Sequence, residues 1–170
     1  MTQKLSLALA IALCLAVPGA TFADDHATQA AEPVSANPFF TASTLPYQLP
    51  PFDQIQDAHY APAFEKGMAD QLAEVAAIAN NAAAPTFENT IVAMEKTGTV
   101  LTRTAAVFFN LAGANTNPAM QKVQAEMAPK LAAHQDAIVL DAKLFARIKS
   151  LHDQRTALGL DAESVRLLER

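Results

Sequence analysis

Apolar residues recur at spacings of three and four along most of this chain, and polar residues and prolines divide the pattern into segments. The first stripe, Phe64, Met68, Leu72, Val75 and Ala79, predicts a helix from about Ala58 to Ala79 with Asp57 as its N-cap. Asn80, Asn81 and the run from Ala82 to Pro85 end it. Thr86 then caps a second helix reaching about Ala112, with Ile91, Met94, Gly98, Leu101, Ala105, Phe108 and Ala112 on one face. Val92, Val100, Val107, Phe109 and Leu111 add apolar surface on other faces, so this helix is expected to be the central one. A glycine inside a stripe costs about 1 kcal/mol relative to alanine, which predicts that Gly98 admits a close helix–helix approach.

Gly113 to Thr116 forms the next turn, Asn117 the next N-cap, and Pro118 takes the first helical position, where its missing N–H does no harm. Met120, Val123, Met127, Leu131 and Ile138 form the inner face of this third helix, and Pro129 predicts a kink or break within it. Asp141 caps a fourth helix with Leu144, Ile148, Leu151 and Leu158 inward and Gly159 closing it. Asp161 opens a fifth, carrying Val165, Leu167 and Leu168. No alternating strand pattern interrupts the series and the loops are short. The fold class is therefore all-α, an antiparallel helical bundle over residues 58–170.

The chain ahead of the bundle changes character twice. Residues 39–57 interleave Phe39, Phe40, Leu45, Tyr47, Leu49 and Phe52 with Pro46, Pro50 and Pro51. Proline excludes a helix interior there, so the reading is an extended arm laid across the helices with its aromatic residues buried. Residues 24–38 are small and polar with no periodicity and read as a disordered linker. Residues 1–23 have the form of a signal peptide: Lys4, an apolar run from Leu5 to Val17, the helix breakers Pro18 and Gly19, and small residues before a cleavage site at Ala23. That run falls short of the roughly 20 residues a membrane-spanning helix needs. The expected product is exported to the periplasm, without a stable membrane anchor.

Composition narrows the function classes. The net charge is −5, with no Lys/Arg cluster, which removes the electrostatic basis for nucleic-acid binding. Cys14, the single cysteine, lies inside the leader, so the mature chain has no disulfide and depends on its packed core. The histidines His26, His59, His134 and His152 are scattered, with none paired at ligand spacing. His26 reads as part of a solvated tail, His134 as a hydrogen-bonded residue at the core edge, and His152 as solvated or capping. Asp70 and Glu74, four apart, lie opposite the apolar stripe, and Glu126 with Lys130 forms a surface pair. Thr86, Glu88 and Asn89 are explained by capping at a helix start.

Longer words are more specific than these patterns. Leu49-Pro50-Pro51-Phe52-Asp53, His59-Tyr60-Ala61-Pro62-Ala63-Phe64, Pro85-Thr86-Phe87-Glu88-Asn89-Thr90-Ile91 and Val107-Phe108-Phe109-Asn110-Leu111 follow one another in order. Together they resemble the thimet-oligopeptidase-like zinc metallopeptidases, and within them the bacterial peptidyl-dipeptidase branch, from about Asn37 to Arg170. The resemblance implies the N-terminal part of a larger helical peptidase, forming one wall of a channel that admits short peptides. It implies release of dipeptides from free C-termini, with zinc held by a C-terminal catalytic domain missing here. The family's His-Glu-x-x-His pair is not in this sequence. No catalytic, metal-binding or substrate-binding residue is therefore carried onto any position of the chain, which alone is expected to be inactive and to bind no zinc. The last segment has nine residues after Asp161 and no stop signal, which reads as truncation. The rival from another class is a self-sufficient exported bundle acting as a binding or scaffold module, supported by the full set of caps for four helices.

Overall fold

The computed structural model describes residues 37–169, and the signal-peptide reading, His26 and all but the last two residues of the linker reading lie outside them. The described residues are helical with no strand, in the order α1 (Asp57–Ala79), a π-helical turn (Phe87–Val92), α2 (Ala93–Glu95), α3 (Thr99–Ala114), α4 (Pro118–Val139), α5 (Ala142–Asp153) and α6 (Ala162–Leu168). The all-α class expected from the periodicity is the one found. Cross-helix pairs fix the directions. Tyr60 meets Phe108 and Gln71 meets Thr97, so α3 runs antiparallel to α1. Asp57 bonds Asn117 and Glu65 bonds Lys130, so α4 runs parallel to α1 and antiparallel to α3.

The centre of the bundle is α1, not the second segment, because α1 packs against α3, α4, α5 and the π-helical turn. Small residues on α1 permit this. A Cβ placed on Gly67 would lie 2.7 Å from the Leu101 backbone nitrogen and 2.8 Å from its Cα, so the close helix approach occurs there. The main core joins Phe39, Tyr60, Ala63, Phe64 and Met68 to Val107, Phe108, Met120 and Met127. Its ring centroids stand 5.0 Å apart for Tyr60–Phe108 and 5.3 Å for Phe64–Phe108, in edge-to-face contact. A smaller cluster of Val75, Ile78, Ala79, Ile138 and Leu144 closes the other end.

Several expectations need correction. The expected single helix from Thr86 to Ala112 is interrupted: Gly98 has φ of +70° and stands as the residue before α3. Only glycine adopts this backbone readily, so the glycine ends one segment and starts another. Upstream, the Ala93 N–H donates to the Glu88 carbonyl five residues back, which is the wide π spacing. Leu72 is half-exposed, and the inward position of that turn belongs to Gln71. In α4, Pro129 causes no break. It and Ala125 lie on the exposed face, where the carbonyl freed by the missing N–H can bind water. The fourth helix ends at Asp153, leaving Leu158 exposed, and Gly159 with φ of +65° belongs to the turn beyond. Gln56 rather than Asp57 is the N-cap of α1.

The arm differs most. Asn37, placed by its composition in the linker, is buried and its Nδ2 donates to the His59 carbonyl at 2.8 Å. Phe39 is 1% exposed, and the Arg103 guanidinium donates to its carbonyl from Nε and Nη2. Past Phe40 the arm turns outward, and Leu45, Tyr47, Leu49 and Phe52 are exposed rather than buried. Local hydrogen bonds explain this: Ser43 Oγ donates to the Leu49 carbonyl, and the Gln48 and Leu49 N–H groups donate to the carbonyls of Leu45 and Pro46. The segment closes on itself instead of lying across the helices.

Candidate functional site

The described histidines are held apart by three different structural duties. His59 sits in the first turn of α1 and accepts the Gln56 N–H at Nδ1, 3.1 Å away, so it caps the helix from inside. His152, half-buried, has Nδ1 3.7 Å from Asp153, on a surface where Lys149 also pairs with that aspartate. The hydrogen-bonded Lys149 ammonium foremost, with His152 nearby, holds the Asp153 carboxyl below the usual carboxylate range. His134 is buried on α4, with Nε2 2.8 Å from Gln71 Oε1, as a hydrogen-bonded residue at the core edge. Among the described residues no group of three or more His, Cys, Asp or Glu is placed to hold a metal ion.

The Gln71–His134 contact belongs to a polar junction between α1, α4 and the Gly98 break. The Thr97 hydroxyl donates to the Met94 carbonyl at 2.8 Å, so its oxygen accepts from Gln71 Nε2 at 3.2 Å. The Gln71 carbonyl then faces His134, which must present Nε2–H and leave Nδ1 as the bare acceptor. Nδ1 is buried without a partner. Adding a proton there would place a charge out of water, and burial accordingly lowers the His134 pKa. Beside this, Glu74 Oε2 accepts the Gly98 N–H at 2.8 Å, so the carboxylate secures the chain break instead of pairing with Asp70. Asp70 pairs with Lys66 on the outside. Glu126 does reach Lys130, at 3.4 Å, but the closer partner is Glu65 at 2.6 Å.

A second hub forms at the π-helical turn. Thr86 Oγ1 accepts the Asn89 N–H at 3.0 Å while Asn89 Oδ1 accepts the Thr86 N–H at 2.8 Å, a reciprocal cap. Glu88 stays exposed in that first turn. Arg147, buried on α5, donates from Nη2 to Asn89 Oδ1 and from Nη1 to the carbonyls of Asn81 and Ala83. It ties the loop after α1 to the start of the next segment. Arg147 was not singled out in the sequence, although it falls on the stripe of Leu144 and Leu151 at helical spacing. Both hubs are structural, and neither presents a nucleophile or a metal-donor set.

What remains open to a ligand is surface. A groove of about 410 Å³ runs between the arm and α3, lined by Pro50, Phe52, Ala106, Val107, Asn110, Leu111 and Ala114. A more polar one of about 560 Å³ lies beside it, bordered by Ser43, Gln48, Glu95, Thr97 and Arg103 among others. No described helix is long and apolar enough to cross a membrane.

The described residues form a helical body with structural hubs and open grooves, and its sequence is similar to that of known peptidases. Its relatives are specific: the chain is 47% identical over 133 residues to dipeptidyl carboxypeptidase of Escherichia coli (strain K12), covering 78% of this chain and 20% of that protein. It is 44% identical over 136 residues to dipeptidyl carboxypeptidase of Salmonella typhimurium, covering 80% of this chain and 20% of that protein. The chain is thus a relative of the dipeptidyl carboxypeptidases over most of its own length, and it spans about a fifth of theirs. No protein-family model matches it.

Proposed function

We propose that this chain is the non-catalytic, N-terminal helical wall of a zinc-dependent peptidase that releases dipeptides from the free C-termini of short peptides. The observation that carries the reading is 47% identity to a dipeptidyl carboxypeptidase combined with coverage of only 20% of it. The residues described here do not fit a zinc ion, since His59, His134 and His152 are engaged in separate places. In this reading metal binding and bond cleavage belong to the remaining length of such a protein, and this chain shapes the channel. The leader of residues 1–23 would send the product to the periplasm, with cleavage near Ala23.

The test is a full-length chimera in which this chain's span from Asn37 to Glu169 replaces the matching fifth of the Escherichia coli enzyme. The chimera is expected to release C-terminal dipeptides from a blocked tripeptide and to hold zinc, while the chain by itself does neither. Dipeptide release or one tightly held zinc per chain from the isolated 170 residues would overturn the assignment.

A further inference from the structure

Residues 43–54 form a closed loop whose backbone is ordered by its own hydrogen bonds, yet its large side chains remain partly or fully exposed. Besides the Ser43–Leu49 and Leu45–Gln48 bonds, the Phe52 and Gln54 N–H groups donate to the carbonyls of Pro50 and Pro51. Tyr47 is 98% exposed, with Leu45, Leu49 and Phe52 about half so. Tyr47 and Gln48 both lie in the left-handed region, at φ of 57° and 55°. Two successive non-glycine residues in that region are unfavourable, and such strain persists where the surroundings fix it. The loop therefore displays an aromatic knob on a constrained backbone, and Phe52 continues the apolar surface into the groove along Ala106, Asn110 and Ala114 of α3.

We infer that this loop and the adjoining α3 groove form the face by which the chain docks onto the remaining four-fifths of a dipeptidyl carboxypeptidase-like polypeptide. The inference rests on the function proposed above and adds which surface is covered. The relatives carry that additional length, and contiguous exposed apolar surface is the mark of an interaction site. Charge disfavours a membrane as the occupant. The one charged residue in the loop is Asp53, and an anionic lipid surface attracts Lys and Arg. A second exposed apolar cluster, Val139, Leu140 and Phe145 at the α4–α5 turn, lacks the left-handed backbone of Tyr47 and Gln48 and serves as the internal control.

Hydroxyl-radical footprinting on the full-length chimera, read by mass spectrometry against the isolated chain at high dilution, tests this directly. Tyr47 and Phe52 should lose most of their oxidation in the chimera while Phe145 retains it. A Tyr47→Ser, Phe52→Ser double variant of the chimera should melt earlier than a Phe145→Ser variant. Dipeptide release with Tyr47 still fully oxidised would overturn the docking face and leave the proposed function standing. Protection of Tyr47 in a chimera that releases no dipeptide would do the reverse. Protection only on adding phosphatidylglycerol vesicles would assign the loop to a membrane, and protection in the isolated chain that vanishes on dilution would assign it to a second copy. Either result overturns the proposal.

Discussion

Replacing Gly67 by alanine adds one methyl group at the closest point between α1 and α3. The added carbon would stand 2.7 Å from the Leu101 nitrogen and 2.8 Å from its Cα, both backbone atoms that cannot rotate away. Favourable carbon contacts begin near about 3.5 Å, so the helices must separate by nearly an ångström, and gaps of that size forfeit about a quarter to a half of each neighbouring contact. The contacts at risk are those of Phe64 and Met68 against Val107 and Phe108. Overpacking of this kind costs about 1–3 kcal/mol, while alanine in a helix regains about 0.5–1 kcal/mol over glycine. The net expectation is a loss of about 0.5–2 kcal/mol, or a drop of several degrees in Tm at roughly 2–6 °C per kcal/mol for a chain of this size. Gly113 supplies the matched control, because it lies in α3 with nothing within 4 Å of its added carbon. Gly113→Ala should therefore be neutral or raise stability by up to about 1 kcal/mol. Thermal and urea unfolding followed by circular dichroism reads both. If the two substitutions shift stability equally and upward, α1 and α3 do not meet at Gly67 and the packing argued here is wrong.

His134 should make the fold acid-sensitive in a defined window. Its pKa is lowered by burial in the native state, so the unfolded chain takes up the proton first: the neutral histidine's contribution is complete above the ordinary value of 6.5 and is lost as pH falls below it. The stability difference between wild type and His134→Gln should narrow or reverse between pH 7 and pH 5, and a wild type that gains on the variant in acid would contradict the buried neutral form. Arg147→Met should destabilise by about 2–4 kcal/mol, since three acceptors lose a charged donor. Arg147→Lys should recover only part of that by urea titration, and full recovery would show that charge, not the forked geometry, matters there.

The parts of the fold legible in the sequence are those decided within a few residues. Thr86, Asn117, Asp141 and Asp161 each cap a helix where their side chains predicted, because a cap joins a side chain to an N–H two or three positions on. What depended on distant chain was less legible. The stripe through Gly98 fitted a continuous helix, and only the Glu74 carboxylate and the positive φ disclose the break. The arm's apolar residues suggested burial, yet proline and short-range hydrogen bonding turned them outward. Arg147 carries a charge and so was passed over at a core position that its carbonyl acceptors make tolerable.

Gln71 has a consequence for uniqueness. By apolar content Leu72 is the residue its turn of α1 offers to the interior, and it is left half-exposed. The actual setting of α1 places an amide between Thr97 and His134, satisfied on both sides. An apolar side chain in that place would leave the buried His134 ring without its one partner, and an unmatched buried group costs about 1–3 kcal/mol. The junction thus adds a polar condition to the rotation of α1 that Gly67 against Leu101 and the buried Tyr60 and Phe64 already set.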